Sequence, residues 1–482
     1  MKFILIDGQR RVLAQSSEQY QASKPKKEWC EIDPEIWYEC MIRGMKRILK
    51  DERAERLKGI GITGQMHTLI PVNKDGKAVR LAIMWNDMRT KGLLPELKRV
   101  FRNFKEGKYL AETVSTGSPA AGLYWMKKEE PKAFAAMDKF LIGPDYLVYR
   151  LTGEYTTDYC EASTSCLFNL KERAWSKDVQ KFLGLSDSIY PRLGASSEIA
   201  GLVGEETAKK LGISKAVFVL HGTGDNPAAA ISTGCLGKGY PVISLGTSGI
   251  LMMPVSKLTQ EAKGKRILLA LEKGSFQYLV QGAVQSTGNT LDWWIKNICG
   301  ELDYGSLEEN CLPAELSEDE VLFYPHLMGE KTIYGNPSLR GAFLGLGMES
   351  TRKSMTYAVL EGLSMGFREL AEKMQIPLDQ FDSIKVVGGG ANNDTWLQIL
   401  ANVLHKRIER LEGVTGAAYG IALLALFRDG GIDKMEDLSS GLISVQKQFV
   451  PDERVMKKLD ARYEKYCRIY HALGYLGEDK IV

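Results

Sequence analysis

This sequence predicts an α/β protein of two domains, the second repeating the plan of the first. Three observations carry that reading. A chain of 482 residues is too long for one hydrophobic core. A strand at 384–387 ends in Gly388-Gly389-Gly390 and opens a helix at 395–404, the punctuation of a βα unit. Past residue 240 the order of strand, turn, strand and helix starts again, which sets the domains at 1–235 and 236–482.

The elements follow in order. Residues 3–7 alternate into a strand, Gly8-Gln9 turns, and 12–21 return, so the chain opens on half of a meander. Asp33-Pro34 starts an amphipathic helix through Ile48, with Ile36, Met41, Met45 and Ile48 on one stripe. Residues 59–63 form a buried strand ending at Gly64-Gln65-Met66-His67. A hairpin of 69–72 and 81–85 turns at Lys74-Asp75-Gly76 and runs into Trp85-Asn86-Asp87-Met88-Arg89. Residues 93–108 read as a basic helix with a solvated face. Residues 145–151 are a short helix closed by Gly153, and 217–220 are the strand that delivers Asp225.

In the second half, strands at 240–245 and 250–253 flank Gly246-Thr247-Ser248-Gly249, and another strand follows at 275–280. Long helices are expected from Asn289, over 351–374 and over 416–426, where Gly and Ala residues permit close backbone packing. A charged helix at 452–473 ends the fold.

Composition narrows the function classes. The chain is 44% hydrophobic and 26% charged, as ordinary soluble proteins are. A net charge of +3 leaves no footprint for nucleic acid or an anionic membrane. Eight scattered cysteines, with no CxxC and no Cys/His ligand spacing, argue for free thiols in a cytosol rather than disulfides or zinc. No apolar run reaches membrane-spanning length, so a cytoplasmic protein is expected.

Chemistry concentrates in residues 220–249. Asp225-Asn226 sits in a glycine-bounded turn before Pro227, a helix start that taken alone means only a cap. Gly246-Thr247-Ser248-Gly249 is a hairpin turn whose N–H and O–H groups suit a phosphate, although alone it is only a turn. In succession they suggest phosphoryl transfer to a hydroxyl. The triple glycine at 388–390 is neither GxGxxG nor GxxxxGK[ST], which disfavours a Rossmann site and a P-loop, while its following helix could face a nucleotide.

Gln65-Met66-His67, Trp85-Asn86-Asp87 with Arg89, Tyr146-Leu147, Leu151-Thr152-Gly153, Thr157-Asp158, Gly224-Asp225-Asn226, residues 244–249, Gly345-Leu346 and residues 388–391 together resemble the FGGY carbohydrate kinases. The resemblance covers the whole chain. It implies the actin-like ATPase fold, two ribonuclease-H-like domains with the nucleotide and sugar in the cleft between them. It implies Asp225 as catalytic base, and Met66, His67, Asn226, Trp85, Asp87 and Arg89 as sugar-binding residues. Gly246, Thr247 and Ser248 match the family's second phosphate loop, and Gly389, Gly390 and Asn393 its adenosine site. ATP with Mg²⁺ is the implied phosphate donor, with no protein-only metal site. The implied acceptor is a ketose, D-xylulose foremost, and a homodimer is the candidate assembly. A silent sugar- or nucleotide-binding protein on the same scaffold, or a kinase for another ketose or polyol, is the alternative.

Two departures bear on this. Thr68 and Met88 stand where glycine is common beside the sugar pocket, which bears on the choice of sugar. The family's first phosphate loop, Asp-x-Gly-Thr with its preceding strand, has no counterpart ahead of Met1. The resulting expectation is that Met1 is an internal start and that the 482-residue chain binds sugar with little turnover.

Overall fold

The computed structural model describes residues 1–50, 53–105, 107–237, 239–258, 263–300, 320–330, 332–336, 338–413, 415–428 and 444–478. The chain divides into two compact units, each discontinuous in sequence: Met1–Ser232 with Arg266–Tyr278 and Val414–Ser439, and Thr233–Lys265 with Leu279–Gly413 and Ser440–Val482. Each is a mixed α/β body.

In the first unit, Lys2–Ile6 and Val12–Ser17 pair antiparallel as the opening hairpin. The helix Pro34–Ile48 begins where Asp33 accepts the Glu35 amide, 3.0 Å away, with Pro34 following as a first helical residue. Its buried side is centred on Trp37, Met41, Met45 and Ile48, while Ile36 is only half-buried. A four-stranded antiparallel sheet takes the order Glu31–Ile32, Ala82–Ile83, Leu69–Val72, Lys139–Ile142.

The expected strand at 59–63 is broken in two. Gly59–Ile60 pairs parallel with Phe218–Leu220, and Thr63–Gly64 pairs parallel with Thr223–Gly224. Two chain segments thus run side by side and end together at Gly64 and Gly224. The helix Asp225–Thr233 leaves from that end, and the helix Ala417–Phe427 packs on it so closely that a side chain at Gly420 would run into the Ala228 carbonyl.

The solvated helix expected at 93–108 is replaced by two pieces, Leu94–Phe101 and Gly107–Thr113. Leu97 and Phe101 are fully buried, because the first piece seats one face in a second apolar core with Leu123, Phe140 and Leu167. Charge on its other face concealed that burial in the sequence.

The second unit is built on strands in the order Gly249–Val255, Val242–Leu245, Ser383–Val387, Arg407–Glu412, Ser444–Phe449. The middle pairings are parallel and the outer two antiparallel. The helix Arg352–Lys373 lies in the core with Trp294, Phe323, Phe367 and Trp396, its start closed by a reciprocal Thr351–Ser354 capping box. The long helix expected from Asn289 is instead Gly288–Trp293 followed by a π-helical turn, Trp294–Ile298. Trp294 is drawn into the core, where its indole N–H donates to Thr356 Oγ1 at 2.9 Å, and the turn widens around it. The terminal helix spans Glu453–Glu478.

The seven cysteines among the described residues are thiols, and Cys311 lies outside them. Among the described residues no helix is long and apolar enough to cross a membrane.

Candidate active site

Strand register assembles the first half of the site. Because Thr63–Gly64 and Thr223–Gly224 run parallel and in step, Gln65-Met66-His67 and Asp225-Asn226 emerge from the same end. The approach is close enough to require glycine at 224. A Cβ there would lie 2.5 Å from Met66 Cγ and 3.0 Å from Glu161 Oε1. Asp225 and Asn226 are half-buried, and the Asn226 amide donates to Asp225 Oδ1 at 2.9 Å. Asp225 is the first residue of its helix, where the macrodipole favours a carboxylate.

His67 holds a left-handed backbone, φ 72°, which a non-glycine residue adopts at a cost of about 1–3 kcal/mol. Its amide donates to Glu161 Oε2 at 3.4 Å. The hairpin that follows pairs Leu69 with Ile83, so continuing the antiparallel register by two residues sets His67 and Trp85 at one end. Trp85 is half exposed there, with 51% of its surface accessible. Thr68 is fully buried and its carbonyl accepts the Gly143 amide at 2.8 Å, whereas Met88 is exposed.

Asp87 and Arg89 sit differently. Both are fully buried, and the Arg89 guanidinium donates to both Asp87 oxygens, from Nε at 2.9 Å and from Nη2 at 2.8 Å. Arg89 also pairs with Glu31 at 2.8 Å and lies over the Trp29 ring, 3.7 Å from its centroid. Asp87 Oδ2 accepts the Cys30 amide as well, at 2.6 Å. This pair clamps the segment that bears Trp85.

Three more carboxylates gather at the same strand ends, and sequence reasoning gave none of them a role in the site. Asp145 opens the helix Asp145–Thr152 and accepts the Ile142 amide at 3.1 Å. Asp158 ends Thr156–Asp158, capping the next helix through the Glu161 amide at 2.9 Å and accepting from Ser196 Oγ at 2.8 Å. Glu161 lies in that helix. Burial pushes all three carboxyls up. Asp158 reaches about 6, held back by the Glu161 amide and the Ser196 hydroxyl. Asp145 and Glu161 go well above the ordinary range, and for Glu161 the charges of Asp145, Asp158 and Asp225 add to burial. The available signal was the Asp158-x-x-Glu161 spacing of a capping pattern inside an otherwise apolar and hydroxyl-bearing run.

The second unit carries the turn. Leu245 pairs with Gly249, leaving Gly246-Thr247-Ser248 as a three-residue hairpin loop. Its carbonyls are tied back. Thr247 O accepts the Thr287 and Asn289 amides at 3.2 Å each, and Gly246 O accepts the Gly288 amide at 3.0 Å. The Ser248 hydroxyl donates to Gln285 O at 2.8 Å, so its proton is spent on the fold, while Thr247 stands exposed at the tip.

The glycines at the end of Ser383–Val387 divide their work. Gly388 has φ 97° and packs so that a Cβ would lie 2.6 Å from Leu245 O. Gly390 faces Trp396 and Leu245. At Gly389 a Cβ would meet nothing within 4 Å, so packing does not explain that glycine. Asn393 is buried and caps Asp394–Leu404 by accepting the Trp396 amide at 2.8 Å.

The model of the N-terminal domain of the FGGY family of carbohydrate kinases matches residues 1–232, and that of its C-terminal domain matches 242–428. The chain belongs to the FGGY carbohydrate kinases. It is 28% identical to the xylulose kinase of Staphylococcus xylosus over 98% of this chain and 97% of that protein. It is 30% identical to the xylulose kinase of Klebsiella pneumoniae, again over 98% and 97%. The crystal structure of a xyloylose kinase from Brucella ovis superposes with a TM-score of 0.89 at 29% identity, over 98% of this chain and 97% of that one. This FGGY kinase therefore has the two-domain, actin-like ATPase fold of its family and is a sugar kinase.

Proposed function

We propose that this kinase transfers the terminal phosphate of ATP to D-xylulose, giving D-xylulose 5-phosphate, with Asp225 as the base. The observation that carries the reading is the shared strand end that sets Met66 and His67 beside Asp225 and Asn226. Near full-length similarity to proteins named xylulose kinase supports the choice of sugar.

The first unit supplies the sugar groups. Asp225 accepts the proton of the attacking hydroxyl as the new P–O bond forms, a task that positioning and an ionised carboxylate suffice for. Met66, His67 and Asn226 contact the sugar, and Trp85 forms the rim. Asp87 and Arg89 hold that rim in place. The second unit supplies the nucleotide groups. The Gly246–Ser248 loop offers backbone N–H groups and the Thr247 hydroxyl to phosphate, and Gly389 gives the nucleotide a surface with no side chain in the way. Among the described residues no cluster of three His, Cys, Asp or Glu side chains is arranged to hold a metal. Donors of the loop's kind fit phosphate oxygens, and Mg²⁺ would be carried by ATP, where it neutralises phosphate charge.

Two outcomes follow. His67→Ala should raise KM for D-xylulose by roughly 5- to 150-fold, the value of about 1–3 kcal/mol for a buried hydrogen bond, with KM for ATP little changed. Equal rises for both ligands in steady-state kinetics would instead mark a packing residue. Gly389→Ala should leave the melting temperature alone while raising KM for ATP roughly tenfold, since the added methyl meets ligand rather than protein. A lowered melting temperature with unchanged KM would remove Gly389 from the nucleotide site.

The direct test of the sugar is ADP release across D-xylulose, D-ribulose, L-ribulose and glycerol, with D-xylulose expected to give the highest kcat/KM. Preference for glycerol or for another ketose would overturn the choice. Calorimetric titration with D-xylulose reads the same site independently of turnover.

A further inference from the structure

We propose that Glu161 is a positioning residue for phosphoryl transfer, its carboxyl group tying the loop that carries His67 to the strand end that carries Asp225. This rests on the reading of Asp225 as base and extends it.

Geometry makes the link. One Glu161 oxygen, Oε2, accepts the His67 amide at 3.4 Å. The other, Oε1, lies 3.0 Å from where a Cβ on Gly224 would stand, against the residue just before Asp225. Glu161 is 1% exposed, and Oε1 has no hydrogen-bond partner among the described residues. One buried carboxyl group thus touches both halves of the proposed sugar site. The bond to His67 falls where the backbone is left-handed, and such strain persists only where the surroundings hold it.

Charge gives the link a second consequence. The groups around Glu161 are Asp145 from the helix Asp145–Thr152, Asp158 from the strand Thr156–Asp158, Asp225 from Asp225–Thr233, the Cys160 thiol on its own helix, and His67. Three neighbouring carboxylates and burial together favour the protonated form. A neutral Glu161 leaves Asp225 free to carry the negative charge that a base needs. An ionised Glu161 would add a second anion beside Asp225, and kcat/KM should fall at alkaline pH for that reason.

The test compares Glu161→Gln and Glu161→Ala with wild type, reading kcat/KM for D-xylulose from pH 6 to about 10, KM for ATP, calorimetric D-xylulose binding and the melting temperature. Glutamine keeps the acceptor for the His67 amide and cannot ionise. It should hold neutral-pH activity within about threefold and remove the alkaline fall. Alanine should weaken D-xylulose binding by about tenfold or more with KM for ATP unchanged. An alkaline limb that is the same in Glu161→Gln and wild type, or D-xylulose binding unchanged in Glu161→Ala, would overturn the proposal. If Glu161→Ala does not fold, the glutamine profile still decides. Asp225→Asn in parallel separates the two readings. Turnover that survives it refutes the base, whereas turnover lost there with an unaltered Glu161→Gln profile refutes only the role of Glu161.

Discussion

Replacing Asp225 with asparagine should cut kcat by roughly a hundred- to ten-thousand-fold, the range lost when a general base is removed. The substitution keeps the shape of the side chain and an oxygen that can accept the Asn226 amide, so the start of the helix Asp225–Thr233 is kept. Sugar binding should therefore persist, and the loss should appear in kcat with the calorimetric affinity for D-xylulose nearly unchanged. If Asp225 were only a cap, asparagine would serve almost equally well and kcat would fall by less than about threefold. Single-turnover measurement separates the two cases, because it reads the phosphoryl-transfer step without product release.

The second large effect concerns the stability of the second unit. Arg462, in the terminal helix, donates from Nε and Nη2 to the two oxygens of Glu361, each at 2.6 Å, and from Nη2 to Val321 O at 2.7 Å. The Glu361 side chain is fully buried and that of Arg462 is 9% exposed. Glu361→Ala strands a guanidinium in the core and should cost about 3–5 kcal/mol. For a unit of this size that lowers the melting temperature by roughly 6–20 °C. Glu361→Leu combined with Arg462→Met removes both charges and should recover most of the loss. Scanning calorimetry of the three proteins decides it. A double variant no more stable than Glu361→Ala would mean that the pair contributes through geometry rather than through mutual neutralisation.

Local signals made much of the fold legible. The Asp33-Pro34 start, the Gly153 end with φ 82° and the Thr351 cap all lie within a few residues of what they delimit. The glycine-rich helix at Ala417–Phe427 likewise packs as its composition implies. What escaped depends on distant partners. The piece Leu94–Phe101 reads as solvated because its apolar neighbours, Leu123, Phe140 and Leu167, come from elsewhere in the chain. The π-helical turn at Trp294 answers to Thr356, which is equally remote.

The proposed site divides along the same line. Asp225, Met66 and His67 were visible because the motif residues sit next to glycines and strand ends. Glu161 was not, since only the folded chain brings it to His67 and Gly224. For Asp87 and Arg89 the residue types suggested sugar contact, and the structure shows their charges turned on each other.

The proposed reaction is tested most directly by identifying the product formed from D-xylulose, ATP and Mg²⁺, by phosphorus NMR and mass spectrometry. ADP and D-xylulose 5-phosphate should form in equal amounts, both at least about a hundredfold more slowly when Asp225 is asparagine. ADP with free phosphate and no sugar phosphate, or a product that Asp225→Asn still makes at the wild-type rate, would contradict it.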